Sequence, residues 1–195
     1  FEWLDVDRDK EEMRRILNVS ELESSRLPVV VFPDGTRQTR PTNAEIAQKI
    51  GLKIRPEGEF YDLIIVGGGP SGLAAAVYGA SEGLHTIIVE RHAPGGQAGL
   101  SSMIENYLGF PAGLSGTDLA RRAVAQAKKF EVEIVSPLEV SEVRVKGSTP
   151  IATLSDGSEL RGHVVLIATG VEWRRLNVPG IDRLVGAGVY YGGTL

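Results

Sequence analysis

Cysteine is absent from all 195 residues, which excludes structural disulfides, thiolate metal ligands and any thiol relay within this sequence. Basic residues form no run, the net charge is −4 and aromatics make up 6%, so neither nucleic acid nor an anionic membrane is an expected partner. Long apolar runs are lacking as well. The one stretch worth weighing, residues 63–78, is interrupted by Gly67, Gly68, Gly69 and Pro70 and cannot be a membrane helix. No stretch reads as a signal peptide, and a soluble, cytoplasmic chain is expected. His85, His92 and His163 are scattered, with no His or carboxylate at ligand spacing, so each reads as a surface or loop residue and no metal site is expected. What is present, 42% hydrophobic and 24% charged residues, suffices for one medium domain plus a smaller piece.

Residues 1–52 read as a strand (1–6), a helix (9–17), a strand (28–32), the turn Pro33-Asp34-Gly35, a short strand (36–40) and a helix (43–50) closed by Gly51. Residues 53–60, KIRPEGEF, mix charge with Pro56 and Gly58 without periodicity and read as a linker. A new domain opens at Tyr61. Its expected order is a strand (62–66), a helix (70–82), a strand (86–90), a long glycine-rich loop (91–116) and a helix (117–130). Strands follow at 131–135, 139–145, 151–154 and 160–168, the last with a break at Gly162, and Ser155-Asp156-Gly157-Ser158 makes a hairpin turn. The fold class is therefore α/β: a Rossmann-like parallel sheet with an antiparallel β-meander inserted late, preceded by a partial α/β segment.

The segment YDLIIVGGGPSGLAAAVYGASEGLHTIIVE, residues 61–90, carries a GxGxxG in its full context. An apolar strand runs into Gly67, whose missing side chain permits a tight turn; Gly69 lets the backbone approach a pyrophosphate, and Gly72 lets helix and strand pack closely. Pro70 and Ser71 open the helix, so free N–H groups and the positive dipole end face the phosphate site. Glu90 closes the second strand, where a carboxylate accepts hydrogen bonds from adenosine ribose hydroxyls, or stands as a solvated charge at a strand end. The fingerprint does not choose between FAD and NAD, while an acid at position 90 argues against the 2′-phosphate of NADP in this pocket.

Further segments bear on that choice. HAPGGQAG (92–99), IENYLGFP (104–111), LSGTDLARRAVAQAKKF (114–130), LIATGVEWRRLNVPG (166–180) and GAGVYYGG (186–193) together resemble the low-molecular-weight thioredoxin reductases and the related flavoprotein subunit of alkyl hydroperoxide reductase. The resemblance implies FAD in an FAD-binding domain over 61–176, followed at 177–195 by the connection to an NAD(P)H-binding domain that this sequence does not contain. It places Gly95, Gly96 and Gln97 along the flavin, Asn106 against FAD, and Ala168, Thr169 and Gly170 over the cofactor. Arg91, beside the ribose carboxylate, and Val140, in the 139–142 tetrad whose backbone meets adenine, join the set. Read from the residues alone, the GGQ loop could be solvent-facing, Asn106 a helix cap and Thr169-Gly170 a strand-ending turn. The family's redox-active CxxC follows a GVxY-like stretch, and here Gly188-Val189-Tyr190-Tyr191 is followed by Gly192, Gly193, Thr194 and Leu195. Residues 1–52, through DVDRD, LPVVVFPDG and PTNAEIAQKIGL, resemble the second half of a thioredoxin or glutaredoxin domain, in which the proline matching Pro28 is usually cis.

The leading expectation is an FAD-dependent oxidoreductase of the thioredoxin-disulfide reductase type, reduced by NAD(P)H bound outside these residues. A thioredoxin-like or small-molecule acceptor and a homodimer are implied by the resemblance, and the organic chemistry is the flavin's, with no catalytic side chain assigned. The alternatives are a non-catalytic flavin-binding regulatory or redox-sensing module, and an NAD-dependent dehydrogenase, which would leave the GGQ, ENY and ATG segments unexplained.

Overall fold

The computed structural model describes residues 4–5, 8–17, 27–172, 174–185 and 187–191. The chain divides into two compact units, Phe1–Ile46 and Ala47–Leu195.

In the first unit helix α1 (Lys10–Leu17) buries Met13, and the Arg37 guanidinium donates to the Ile16 carbonyl at 3.0 Å. Strands β1 (Val29–Val31) and β2 (Arg37–Thr39) form an antiparallel hairpin. Its turn is held by the Asp34 carboxylate, which accepts from the Thr36 N–H at 3.0 Å and the Thr36 hydroxyl at 2.6 Å. The Leu27–Pro28 peptide bond is cis. Helix α2 (Asn43–Lys49), which runs across the division at 46/47, opens with a reciprocal capping box. The Glu45 N–H donates to the Thr42 hydroxyl at 3.2 Å, and the Thr42 N–H at 2.7 Å and hydroxyl at 2.8 Å donate to the Glu45 carboxylate, which holds that carboxyl below its usual range. The strand expected over 1–6 falls largely outside the described residues.

The second unit is built on a six-stranded sheet in the order β5-β4-β3-β8-β7-β6. Strands β3 (Phe60–Val66), β4 (Thr86–Val89), β5 (Glu133–Val135) and β8 (Glu159–Ile167) run parallel, whereas β6 (Val140–Lys146) and β7 (Thr149–Leu154) attach antiparallel as a meander. Helices α3 (Pro70–Ser81) and α4 (Gly116–Lys129) complete the unit. This is the Rossmann-like α/β arrangement with a late meander that the patterning indicates. The apolar runs of β3 and β4 are buried on both faces, as crossover-connected parallel strands require. Leu63, Ile65 and Ile88 pack with Leu73 and Ala76 of α3 and Ala127 of α4, while Tyr61, Ile64, Ile87 and Val89 pack with Val135, Ala152, Leu154 and Leu160.

Two local expectations are corrected. Gly162 does not interrupt β8, which runs unbroken through it; a Cβ there would lie 2.8 Å from the Tyr61 carbonyl oxygen, so the glycine serves close strand approach rather than a break. His163 is not without a carboxylate neighbour: parallel pairing of β3 and β8 brings its Nε2 to 3.8 Å from Asp62 and its ring edge-on to Phe60, 4.9 Å between centroids. Sequence spacing is blind to that cross-strand contact. No described helix is long and apolar enough to cross a membrane.

Candidate dinucleotide site

The site forms where β3 and β4 end and α3 begins. Gly67 takes φ +106°, and a Cβ on it would fall 2.4 Å from the Ala168 carbonyl oxygen, because the chain leaving β8 crosses directly over the turn. The Ala168 N–H donates to the Val66 carbonyl at 2.8 Å and fixes that crossing. Gly72 is held still more tightly: its hypothetical Cβ would sit 2.0 Å from the Gly67 carbonyl oxygen. Around Gly69, by contrast, a Cβ would meet no protein atom within 4 Å, so the space in front of the helix start is open. Pro70 occupies the first helical turn, and no side chain caps α3. Its leading N–H groups, including those of exposed Ser71 and of Gly72, therefore point into that open space with the positive end of the helix dipole.

Glu90 is not a solvated charge. Its side chain is 7% exposed and spans the turn, accepting from the Gly68 N–H at 2.6 Å through Oε2 and from the His92 N–H at 2.8 Å through Oε1. Each oxygen keeps a lone pair, and the carboxylate lies locked beside the helix start. Its backbone is equally fixed: the Glu90 N–H donates to Val135 at 3.0 Å and the Leu138 N–H to the Glu90 carbonyl at 2.9 Å. That second bond draws the start of β6 to this corner. The Val140 side chain itself packs against the sheet core, so only its backbone is available to a ligand.

The loop after Glu90 folds back on the glycine turn. The Gly95 N–H donates to the Gly68 carbonyl at 2.7 Å, and a Cβ on Gly96 would lie 3.1 Å from Gly69 Cα. Gln97 opens a short 3₁₀ turn (Gln97–Leu100) and its Nε2 donates to the Val171 carbonyl at 2.5 Å. The Arg91 guanidinium pairs with Glu172 at 2.6 Å across the same gap, which pushes Arg91 above its ordinary range. Gln97 and Arg91 thus tie the GGQ loop to the Ala168-Thr169-Gly170 segment. Thr169 and Gly170 are both exposed, and Gly170 adopts φ +74°.

Asn106 is not drawn into this cluster. It is exposed in a loop pinched by the Ile104–Leu114 bridge, and it caps no helix, because a turn rather than a helix follows it. The helix cap in this region is Ser115, whose hydroxyl accepts from the Asp118 N–H at 3.1 Å at the start of α4. Patterning alone missed Gly68, His92, Val171 and Glu172. Gly68 was discoverable from the run of three glycines, since its N–H is the one that holds Glu90; the others contribute through backbone atoms or through contacts across the fold. Residues 192–195, where the family resemblance implies the CxxC, fall outside the described residues.

Residues 61–192 match the family described as pyridine nucleotide-disulphide oxidoreductase. The chain is 38% identical over 135 residues to a thioredoxin reductase of Bacillus subtilis (strain 168), covering 69% of this chain and 42% of that protein. It is 41% identical over 133 residues to one of Ureaplasma parvum, covering 68% and 42%. The chain thus spans about 42% of the length of these curated relatives. Among solved structures, the thioredoxin reductase of Streptococcus pyogenes MGAS5005 superimposes with a TM-score of 0.58 at 36% identity, over 65% of this chain and 40% of that one. The T. acidophilum thioredoxin reductase gives a TM-score of 0.61 at 29% identity, over 67% and 42%. The match to the family over the whole of the second unit's sheet, glycine turn and Glu90 corner leads to one assignment: the chain belongs to the pyridine nucleotide-disulphide oxidoreductase family.

Proposed function

We propose that the protein is an FAD-dependent oxidoreductase of the thioredoxin-disulfide reductase type and that the glycine turn, the α3 start and Glu90 hold the ADP portion of FAD. The observation that carries this reading is the buried Glu90 carboxylate, locked by the Gly68 and His92 N–H groups beside an uncapped helix start. An adenosine ribose offers two vicinal hydroxyls to such an acceptor, and a pyrophosphate suits the free N–H groups and the dipole of α3. The fit is specific to an unphosphorylated ribose, because a 2′-phosphate would bring negative charge against Glu90.

In this reading Gly95, Gly96 and Gln97 line the path from pyrophosphate to flavin, Asn106 reaches the cofactor from its exposed loop, and Ala168, Thr169 and Gly170 lie over it. Arg91 steadies that cover through Glu172, and the Val140 backbone borders the adenine. FAD, when bound, supplies hydride acceptance from NAD(P)H and onward transfer of the electrons. The nicotinamide site lies outside these residues. The residues here bind, orient and shield; none acts as acid, base or nucleophile. With no cysteine in the sequence, electrons leave by a route other than a dithiol within it, to a thioredoxin-like or small-molecule acceptor. The protein is a homodimer and cytoplasmic in the same reading, and residues 1–52 are the second half of a thioredoxin-like fold joined through 53–60 to the FAD-binding part, 61–176.

The test is chemical. The purified full-length protein should release FAD on denaturation, and its flavin should bleach within seconds of adding NADPH or NADH. Released nicotinamide without flavin would overturn the cofactor assignment, and flavin that stays oxidised over minutes would overturn the enzyme assignment in favour of a binding module.

A further inference from the structure

Residues 53–59 precede the glycine turn in sequence, and hydrogen bonds tie them to the sheet along their length. The Ser136 N–H donates to the Lys53 carbonyl at 2.9 Å, the Glu57 N–H to Glu133 Oε1 at 2.8 Å, the Gly58 N–H to the Tyr61 hydroxyl at 2.9 Å, and the Arg161 N–H to the Glu59 carbonyl at 2.9 Å. Positions 53 and 57 therefore run opposite 136 and 133, antiparallel along β5. That strand is the edge of the sheet, where unpaired backbone groups call for cover. The anchor is buried. Tyr61 is 0% exposed and donates its hydroxyl to Glu133 Oε2 at 2.7 Å, Glu133 is 7% exposed, and the His85 ring stacks on Tyr61 with 4.5 Å between centroids. A phenol, a carboxylate and two strap N–H groups thus satisfy one another inside the sheet.

This anchor leads to the dinucleotide corner. Ser136, which bonds to the strap, lies between the two residues that hold the Glu90 backbone: Val135 accepts the Glu90 N–H and Leu138 donates to the Glu90 carbonyl. We infer that residues 53–59 form a strap, latched by the buried Tyr61–Glu133 pair, that holds the 135–138 segment and through it positions Glu90. Tyr61 and Glu133 are positioning residues for the adenosine end of the site, and freeing the strap loosens that end. The strap and its latch stand on their own contacts; the step to Glu90 and FAD rests on the dinucleotide reading.

Amide hydrogen exchange and FAD release in the full-length holoprotein test this together. Tyr61→Phe removes the hydroxyl, leaving a carboxylate oxygen and the Gly58 N–H without their partner. Exchange at Glu57, Gly58 and Ser136 should rise roughly tenfold to a hundredfold, while β6 and β7 stay protected. FAD should leave roughly tenfold faster by flavin fluorescence. Unchanged exchange at those amides overturns the latch, and faster exchange with unaltered FAD release overturns the coupling to Glu90. Should Tyr61→Phe fail to fold, Glu57→Pro removes the strap N–H that donates to Glu133 while leaving every core side chain in place; exchange is then read at Gly58 and Ser136, with the same outcomes for the latch and for FAD release. A wild-type protein that holds no FAD would defeat the dinucleotide reading, and the exchange arm alone would then decide the latch.

Discussion

Replacing Glu90 with glutamine changes one atom and separates a locked carboxylate from a surface charge. In the native site Oε2 accepts from the Gly68 N–H at 2.6 Å and Oε1 from the His92 N–H at 2.8 Å. Glutamine offers a single carbonyl oxygen, so whichever N–H loses its acceptor faces an NH₂ group inside a site that is 7% exposed. Removing one hydrogen bond to a charged group and leaving a buried donor unmatched costs about 1.5–3 kcal/mol. An exposed carboxylate at a strand end would change stability by no more than about 0.5 kcal/mol. The expected result for Glu90→Gln is therefore a loss of about 2 kcal/mol in urea unfolding of the apoprotein, with Glu90→Ala, which orphans both N–H groups, losing more. The same substitution should weaken FAD retention about tenfold, since a neutral amide is a poorer acceptor for ribose hydroxyls. A change below about 0.5 kcal/mol with undiminished FAD retention would refute the reasoning.

Gly72→Ala should cost about 3 kcal/mol or more and abolish FAD binding in equilibrium dialysis, because its Cβ would meet the Gly67 carbonyl oxygen at 2.0 Å and neither backbone can yield. Gly69→Ala, facing open space, should leave urea stability within about 0.5 kcal/mol of wild type while still weakening FAD. Burial and the Glu133 hydrogen bond push the Tyr61 hydroxyl well above its ordinary range, so its contribution to stability is complete below the unfolded-state tyrosine pKa and is lost as pH rises toward the folded value. Alkaline unfolding should accordingly be less steep in Tyr61→Phe, and phenolate absorbance should show one tyrosine silent until the protein unfolds. Asp118 behaves in the opposite sense: its bonds to Arg121 and Arg122 hold its carboxyl below the usual range. That support for the start of α4 is present above the unfolded carboxylate pKa and lost as pH falls through the folded one, a loss that circular dichroism at acid pH should register and Asp118→Asn should remove.

Much of this architecture was legible because its signals are local. The LIIV run, the glycine turn and the alanine-rich helix specify the β3–α3–β4 unit from adjacent residues, and the sheet order follows from the crossover rules once the meander is recognised. The position of Glu90 at the end of the second strand was legible, but not its burial, which depends on the Gly68 and His92 backbone. Gly162 misled because a strand glycine can mean either a break or a close approach, and only the neighbouring Tyr61 carbonyl decides between them. A cap was the alternative reading of Asn106 beside cofactor contact, because the residues alone do not say where the next helix starts, and Ser115 takes the capping role. The strap was invisible for the same reason: KIRPEGEF has linker composition, and its order comes from Tyr61 and Glu133, residues far apart in sequence that meet at 2.7 Å.

The visible absorption spectrum of the purified full-length protein, recorded before and after anaerobic addition of NADPH and of NADH, tests the central claim most directly. Flavin bands that bleach within seconds with at least one of the two nicotinamides are the predicted result. A protein with no flavin bands, and none after incubation with FAD and removal of the excess, would contradict the assignment of the Gly67–Glu90 site.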